Sequence, residues 1–182
     1  MSSKVHILGF TGSLREESYN RAALRAAQEL LPANTTLEIF SIGDLPPYDE
    51  QYEQDEPEVV RTFKEKLQQA DALLIVTPEY KGLLSRTLKN ALNWAGSATL
   101  ADKPTVTMGV GRPTGIGREQ ACLRQELTRL HAQVLDEPEV YVTSGWEKFD
   151  SEGRLTDEAT RQQVQELLEA VTLQMHAPAF AD

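Results

Sequence analysis

Short apolar runs alternate with amphipathic stretches five times along this chain, and that alternation constrains the fold more than any other feature of the sequence. Residues 5–10 (VHILGF), 36–41 (TLEIFS), 72–76 (ALLIV), 104–110 (PTVTMGV) and 134–142 (VLDEPEVYV) have the lengths and residue types of strands. The runs at 5–10 and 72–76 are nearly continuous in apolar character, as expected where both faces are covered. Residues 20–31, 59–69, 88–95, 118–131 and 156–175 instead space their apolar side chains for helices. Ala23, Leu24, Ala27, Leu30 and Leu31 mark the first, Val60, Phe63 and Leu67 the second, and Val164, Leu167, Leu168 and Val171 the last. Pro32 closes the first helix, Thr156 is the expected cap of the last, and Pro138 signals a bend or an edge in the fifth strand. Residues 43–57, rich in Asp, Glu and Pro, read as a long exposed loop.

Such alternation, without an internal repeat or a linker, predicts a single domain over residues 1–182. Its class is α/β: a doubly wound, five-stranded parallel sheet with helices on both faces. Ligands of these sheets bind beyond the carboxyl ends of the strands, where the strand order reverses and adjacent loops diverge. Chemistry is therefore expected in the loops after the first, third and fourth strands.

Charge and cysteine usage narrow the function classes. Twenty-eight acidic against eighteen basic residues give a formal net charge of -10, which opposes broad binding to nucleic acid or to an anionic membrane. The first apolar run is far short of the roughly 20 residues that span a bilayer, and it reads as a strand, not a targeting segment. The single cysteine, Cys122, excludes an intrachain disulfide framework and any multi-cysteine metal site. It suits a reducing compartment, with the cytoplasm as the expected location. His6, His131 and His176 lack metal-ligand spacing, so no metal is expected.

The first loop, TGSLREESYNR from Thr11 to Arg21, has the parts of an anion site. Ser13, Ser18 and Asn20 offer short polar groups, Arg15 a planar charged fork, and the following helix its unpaired N–H groups and positive dipole end. A serine-capped helix with a solvated arginine is the plainer alternative, and residue chemistry alone leaves both open. A Walker lysine, a G-x-G-x-x-G fingerprint and a cysteine nucleophile in this loop are all missing. The second loop, TPEYKG from Thr77 to Gly82, has a shape fixed by Pro78 and Gly82 and offers Tyr80 to cover a flat heteroaromatic ring. The third, GVGRPTGIGR from Gly109 to Arg118, allows close backbone approach and carries Arg112 and Arg118, either ligand-facing or solvated.

Taken together, GSLRxxSxNR after the first strand and TPEYxG…LKNAxxW after the third resemble the NADPH-dependent FMN reductase family, whose members include quinone and chromate reductases of flavodoxin-like fold. The resemblance runs from Val5 to about Val142. It implies FMN as cofactor, with Ser13, Arg15, Ser18 and Asn20 on the phosphate and Tyr19 beside them. Pro78, Glu79, Tyr80 and Gly82 would line the isoalloxazine largely through backbone groups, Lys81 would either reach the flavin's pyrimidine edge or extend into water, and Gly111 and Arg112 would form a third wall. It further implies hydride transfer from NADPH or NADH to FMN and on to a quinone, metal oxyanion or similar small-molecule acceptor, with a homodimer or homotetramer completing the pocket. No protein acid–base residue is expected. The competing expectation is a flavodoxin-like electron carrier that does not oxidise NAD(P)H directly. Lys81 stands where the family usually has Asn, Ser85-Arg86 where it has Pro-Gly, and Asn93 where it has Asp. The change at 85–86 puts the local backbone in question.

Overall fold

The computed structural model describes residues 4–52, 54–113 and 116–176. Strands β1 (Val5–Thr11), β2 (Thr35–Ile39), β3 (Ala72–Pro78) and β4 (Pro104–Gly111) form where the apolar runs predict them. They alternate with helices α1 (Tyr19–Glu29), α2 (Glu58–Gln69), α3 (Arg86–Leu100) and α4 (Ile116–Arg129). The fifth expected strand is two. Residues 133–134 (β5, Gln133–Val134) pair with the start of β4, and β6 (Val140–Thr143) pairs with its end. Between them the chain leaves the sheet around Glu137–Pro138, and both pieces lie at the edge of the sheet, as Pro138 signals. A four-residue helix, α5 (Gly145–Lys148), and the closing helix α6 (Glu158–His176) complete the chain.

All strand pairings in the sheet are parallel, in the order β2-β1-β3-β4, with β5 and β6 following one another along the outer edge of β4. This order reverses direction between β1 and β3, the switch point at which loops diverge. Strand alternation divides the core into two layers. Val5 and Ile7 of β1 and Ala72, Leu74 and Val76 of β3 pack with α1 and α6. Leu8 and Phe10, with Leu73 and Ile75, pack with α2, α3 and α4. No helix among the described residues is long and apolar enough to cross a membrane.

Two local expectations change. The cap of α6 is Asp157, whose Oδ2 accepts from the Thr160 N–H at 2.9 Å, while the Thr156 hydroxyl donates to the Lys148 carbonyl. The loop at 43–57 is exposed only in its outer part. Leu45 is buried along with the preceding Ile42, the Trp94 indole N–H donates to the Pro46 carbonyl at 2.7 Å, and the Asn90 amide holds both the Pro46 carbonyl and the Tyr48 N–H. Trp94 is therefore a core and tethering residue.

Helix α3 starts without the Pro-Gly of the resembling family, and Ser85 is its cap. Its buried hydroxyl accepts from the Leu88 N–H at 3.3 Å and caps the helix. Residue 96 interrupts the same helix in the left-handed region (φ 64°), where glycine is tolerated.

Candidate functional site

The loops following β1, β3, β4 and β6 surround a cavity of about 450 Å³ at the carboxyl end of the sheet. That size suits a small-molecule or cofactor pocket. Arg15, Ser18, Tyr19 and Asn20 come from the first loop and the start of α1, Pro78, Glu79, Tyr80 and Lys81 from the second loop, and Gly111 and Arg112 from the end of β4. Ten of the twelve expected site residues thus meet at one cavity. Ser13 faces an adjoining hollow, which shares Arg15, Pro78, Glu79 and Tyr80 as walls. Gly82 turns its N–H toward the protein interior. Of the third loop, Thr114 and Gly115 fall outside the described residues.

At the first loop the Ser18 hydroxyl accepts from the Asn20 N–H at 3.2 Å, which caps α1 and brings the positive end of its dipole to the cavity wall. The Ser18 O–H remains available as a donor. Asn20 is buried, and its side-chain Oδ1 has no hydrogen-bond partner among the described residues. Arg15 is exposed and forms no ion pair among them. An amide NH2, a capped helix start and an uncommitted guanidinium fit a phosphate monoester, which accepts from all three.

The second loop is a tight turn. The Leu83 N–H donates to the Tyr80 carbonyl at 3.0 Å, and Lys81 and Gly82 between them both have positive φ, 54° and 75°. These are the features of a type I′ turn. Its inner side is held by a residue absent from the sequence-based expectations: Glu119 of α4 is fully buried, and its Oε1 accepts from Tyr80 N–H at 2.9 Å and Gly82 N–H at 2.6 Å. Cys122, one helical turn further along, lies with Sγ 3.7 Å from the Gly82 carbonyl.

The second and third loops are stitched by Glu79 and Arg112. Oε1 of Glu79 accepts from Nε and Nη2 of Arg112 at 2.9 and 2.7 Å, and Oε2 accepts from the Arg112 backbone N–H at 2.7 Å. Gly111 is required for this approach, because a β-carbon there would lie 2.7 Å from Cβ of Glu79. The Arg112 charge is therefore already matched. The side-chain hydrogen bond from Arg112 holds the Glu79 carboxyl below its ordinary value of 4.5. A carboxyl lowered in this way contributes stability fully above that value, and the contribution is lost as pH falls through the lowered one. Relative to Glu79→Gln, the wild-type thermal midpoint should hold a constant advantage above pH 4.5 and lose it progressively below. The advantage should be small, since the Arg112 side chain is 75% exposed.

A fourth wall escaped sequence reasoning. After β6 the chain turns through Ser144, in the left-handed region, and α5 places Gly145 against the ring of Tyr19, which stacks on Phe149 at 5.4 Å. Trp146 follows, 62% exposed, at the cavity rim. The only local signal was an aromatic residue in the loop after the fifth strand. The cavity as a whole carries three basic side chains, Arg15, Lys81 and Arg112, against the single carboxylate of Glu79, so it is locally positive on an acidic protein.

Comparison with known proteins places these loops in context. Residues 5–147 match the model of the NADPH-dependent FMN reductase family. An NAD(P)H-dependent FMN reductase of Pseudomonas aeruginosa is 39% identical over 178 residues, covering 95% of this chain and 96% of its own. A 2-hydroxy-1,4-benzoquinone reductase of a Burkholderia species is 34% identical over 174 residues, covering 93% and 94%. Among solved structures, a flavoenzyme NAD(P)H:acceptor oxidoreductase of Paracoccus denitrificans superposes with a TM-score of 0.84 at 30% identity, covering 94% of this chain and 97% of that one. With its cavity at the switch point and a family match over residues 5–147, the chain belongs to the NADPH-dependent FMN reductase family.

Proposed function

We propose that this protein is an NAD(P)H-dependent flavoenzyme that holds FMN at the switch-point cavity and passes reducing equivalents from NADPH or NADH to a quinone, metal oxyanion or similar small acceptor. The observation that carries this reading is the first loop, where Arg15, which has no ion pair among the described residues, a capped helix start and the buried Asn20 share one wall. Ser13, Arg15, Ser18 and Asn20 would hold the phosphate, with Tyr19 braced beside it by Phe149. Residues 78–82 would support the ring, while Gly111 and Arg112 close the side next to β4. When bound, FMN would supply the two-electron chemistry, so the reading needs no acid–base pair from the chain.

The remaining task of the chain is to orient the ring and exclude water from its edge, for which Tyr80 and Trp146 at the mouth are placed. With one face open, nicotinamide and acceptor would use it in turn, a ping-pong order. The relatives named as quinone reductases support quinones as the acceptor class. A homodimer or homotetramer that covers the exposed Leu83 and Trp146 belongs to the same reading, as does a cytoplasmic location for a chain with one free thiol.

The test is the visible spectrum of the FMN-loaded protein on anaerobic addition of NADPH. Prompt bleaching of the yellow band is the expected result. Loaded protein that stays yellow would favour the electron carrier, to which the acidic surface is suited, and a protein that refuses FMN would overturn both.

A further inference from the structure

We infer that Glu119 is a positioning residue for the flavin-facing turn: it clamps the amides on either side of Lys81 and so holds a lysine in a conformation that lysine disfavours. This inference rests on the FMN reading of the cavity. Left-handed φ suits Gly, Asn and Asp, and the first central position of a type I′ turn is most often filled by Asn. Lys81 occupies it at φ 54° with no side-chain oxygen to bond locally and no ion pair among the described residues. Some other group has to hold the turn. Glu119 does so from beneath, through Oε1 bonds of 2.9 Å to Tyr80 N–H and 2.6 Å to Gly82 N–H.

Two features separate this from ordinary helix-to-loop packing. Glu119 is fully buried, and its second oxygen, Oε2, has no partner among the described residues, although burying an unpaired polar atom is costly. An alanine or leucine would fill a helix face at less cost, so the carboxyl is placed for the two bonds it does make. The bonds also divide the turn. The N–H groups of residues 80 and 82 face the protein interior, while Lys81, which lines the cavity, has a backbone N–H with no hydrogen bond to another described residue. Glu119 therefore leaves one amide of the three for a polar edge of the flavin.

FMN titration of the apoprotein tests this with Glu119→Ala, Glu119→Gln and Glu119→Ala combined with Lys81→Asn. The alanine variant should bind FMN at least about 10-fold more weakly, whereas glutamine, which keeps the acceptor oxygen, should stay within about 3-fold of wild type. In the Lys81→Asn background, where the turn no longer needs the clamp, the alanine penalty should shrink to about 3-fold or less. Wild-type affinity in Glu119→Ala, equal losses in the alanine and glutamine variants, or an undiminished penalty alongside Lys81→Asn would each overturn the inference. Should Glu119→Ala fail to fold, hydrogen exchange of the wild type and Glu119→Gln decides. Protection of the residue 80 and 82 amides in both is expected, and exchange at the rate of open loop amides would overturn the clamp. A wild-type protein that does not take FMN would overturn the cofactor reading itself, an outcome distinct from all of these.

Discussion

Replacing Arg15 with alanine is expected to weaken FMN binding by about 10- to 100-fold, the equivalent of a charge-assisted hydrogen bond worth roughly 1.5 to 3 kcal/mol. The side chain makes no ion pair among the described residues and is exposed at the cavity wall, so its removal leaves no buried partner behind. Thermal stability of the apoprotein should therefore be almost unchanged, and the loss should appear only in cofactor retention. Arg15→Lys should recover part of the affinity, because an ammonium supplies the charge without the planar fork. Fluorescence titration with FMN measures both. Wild-type affinity in the alanine variant would remove the phosphate from this loop.

The second large effect is expected at Gly12, which follows β1. A β-carbon there would overlap the Ser85 hydroxyl and lie 2.8 Å from Cγ of Leu88. Neither neighbour can yield: Ser85 is buried and committed to capping α3, and Leu88 is fully buried. Gly12→Ala should cost about 1 to 3 kcal/mol of stability, typical of overpacking in a close-packed interior. It should also reduce FMN affinity, since the first loop must shift away from α3 to relieve the clash. Chemical denaturation and FMN titration on the same preparation read the two effects. A variant as stable as wild type would show that the approach of these two loops is loose.

The elements legible in the sequence were those whose signal is local. Strands β1, β3 and β4 lie in the middle of the sheet and are covered on both faces; apolarity runs nearly unbroken along β1 and β3, β4 adds only buried threonines, and all three are marked within a residue or two. The start of α1 was legible because Ser18 followed by Asn20 is a contiguous capping motif. The rest depends on partners distant in the chain. Glu119 sits in REQACLRQEL, which reads as a solvated helix face until its partners 37 and 39 residues earlier are known. Gly145 and Trp146 reach the cavity only because β6 lies against β4 and the chain then folds back over Tyr19. The fifth strand was over-extended because Val134–Leu135 and Val140–Val142 were joined into one strand across Asp136–Glu139, where the chain leaves the sheet. The function itself came from two loop motifs in combination, neither of which was decisive alone.

The tether from α3 to the long acidic loop has a consequence for how the chain can be altered. Asn90 and Trp94 fasten Pro46 and Tyr48 to a helix whose own start lines the hollow adjoining the cavity, so sequence change at 45–48 propagates toward Ser85 and the first loop. Beyond Tyr48 the constraint ends: Asp49, Gln51, Gln54 and Asp55 are exposed. An affinity tag, an immobilisation handle or a grafted peptide inserted in that outer stretch would sit at the surface without disturbing the helix that supports the pocket.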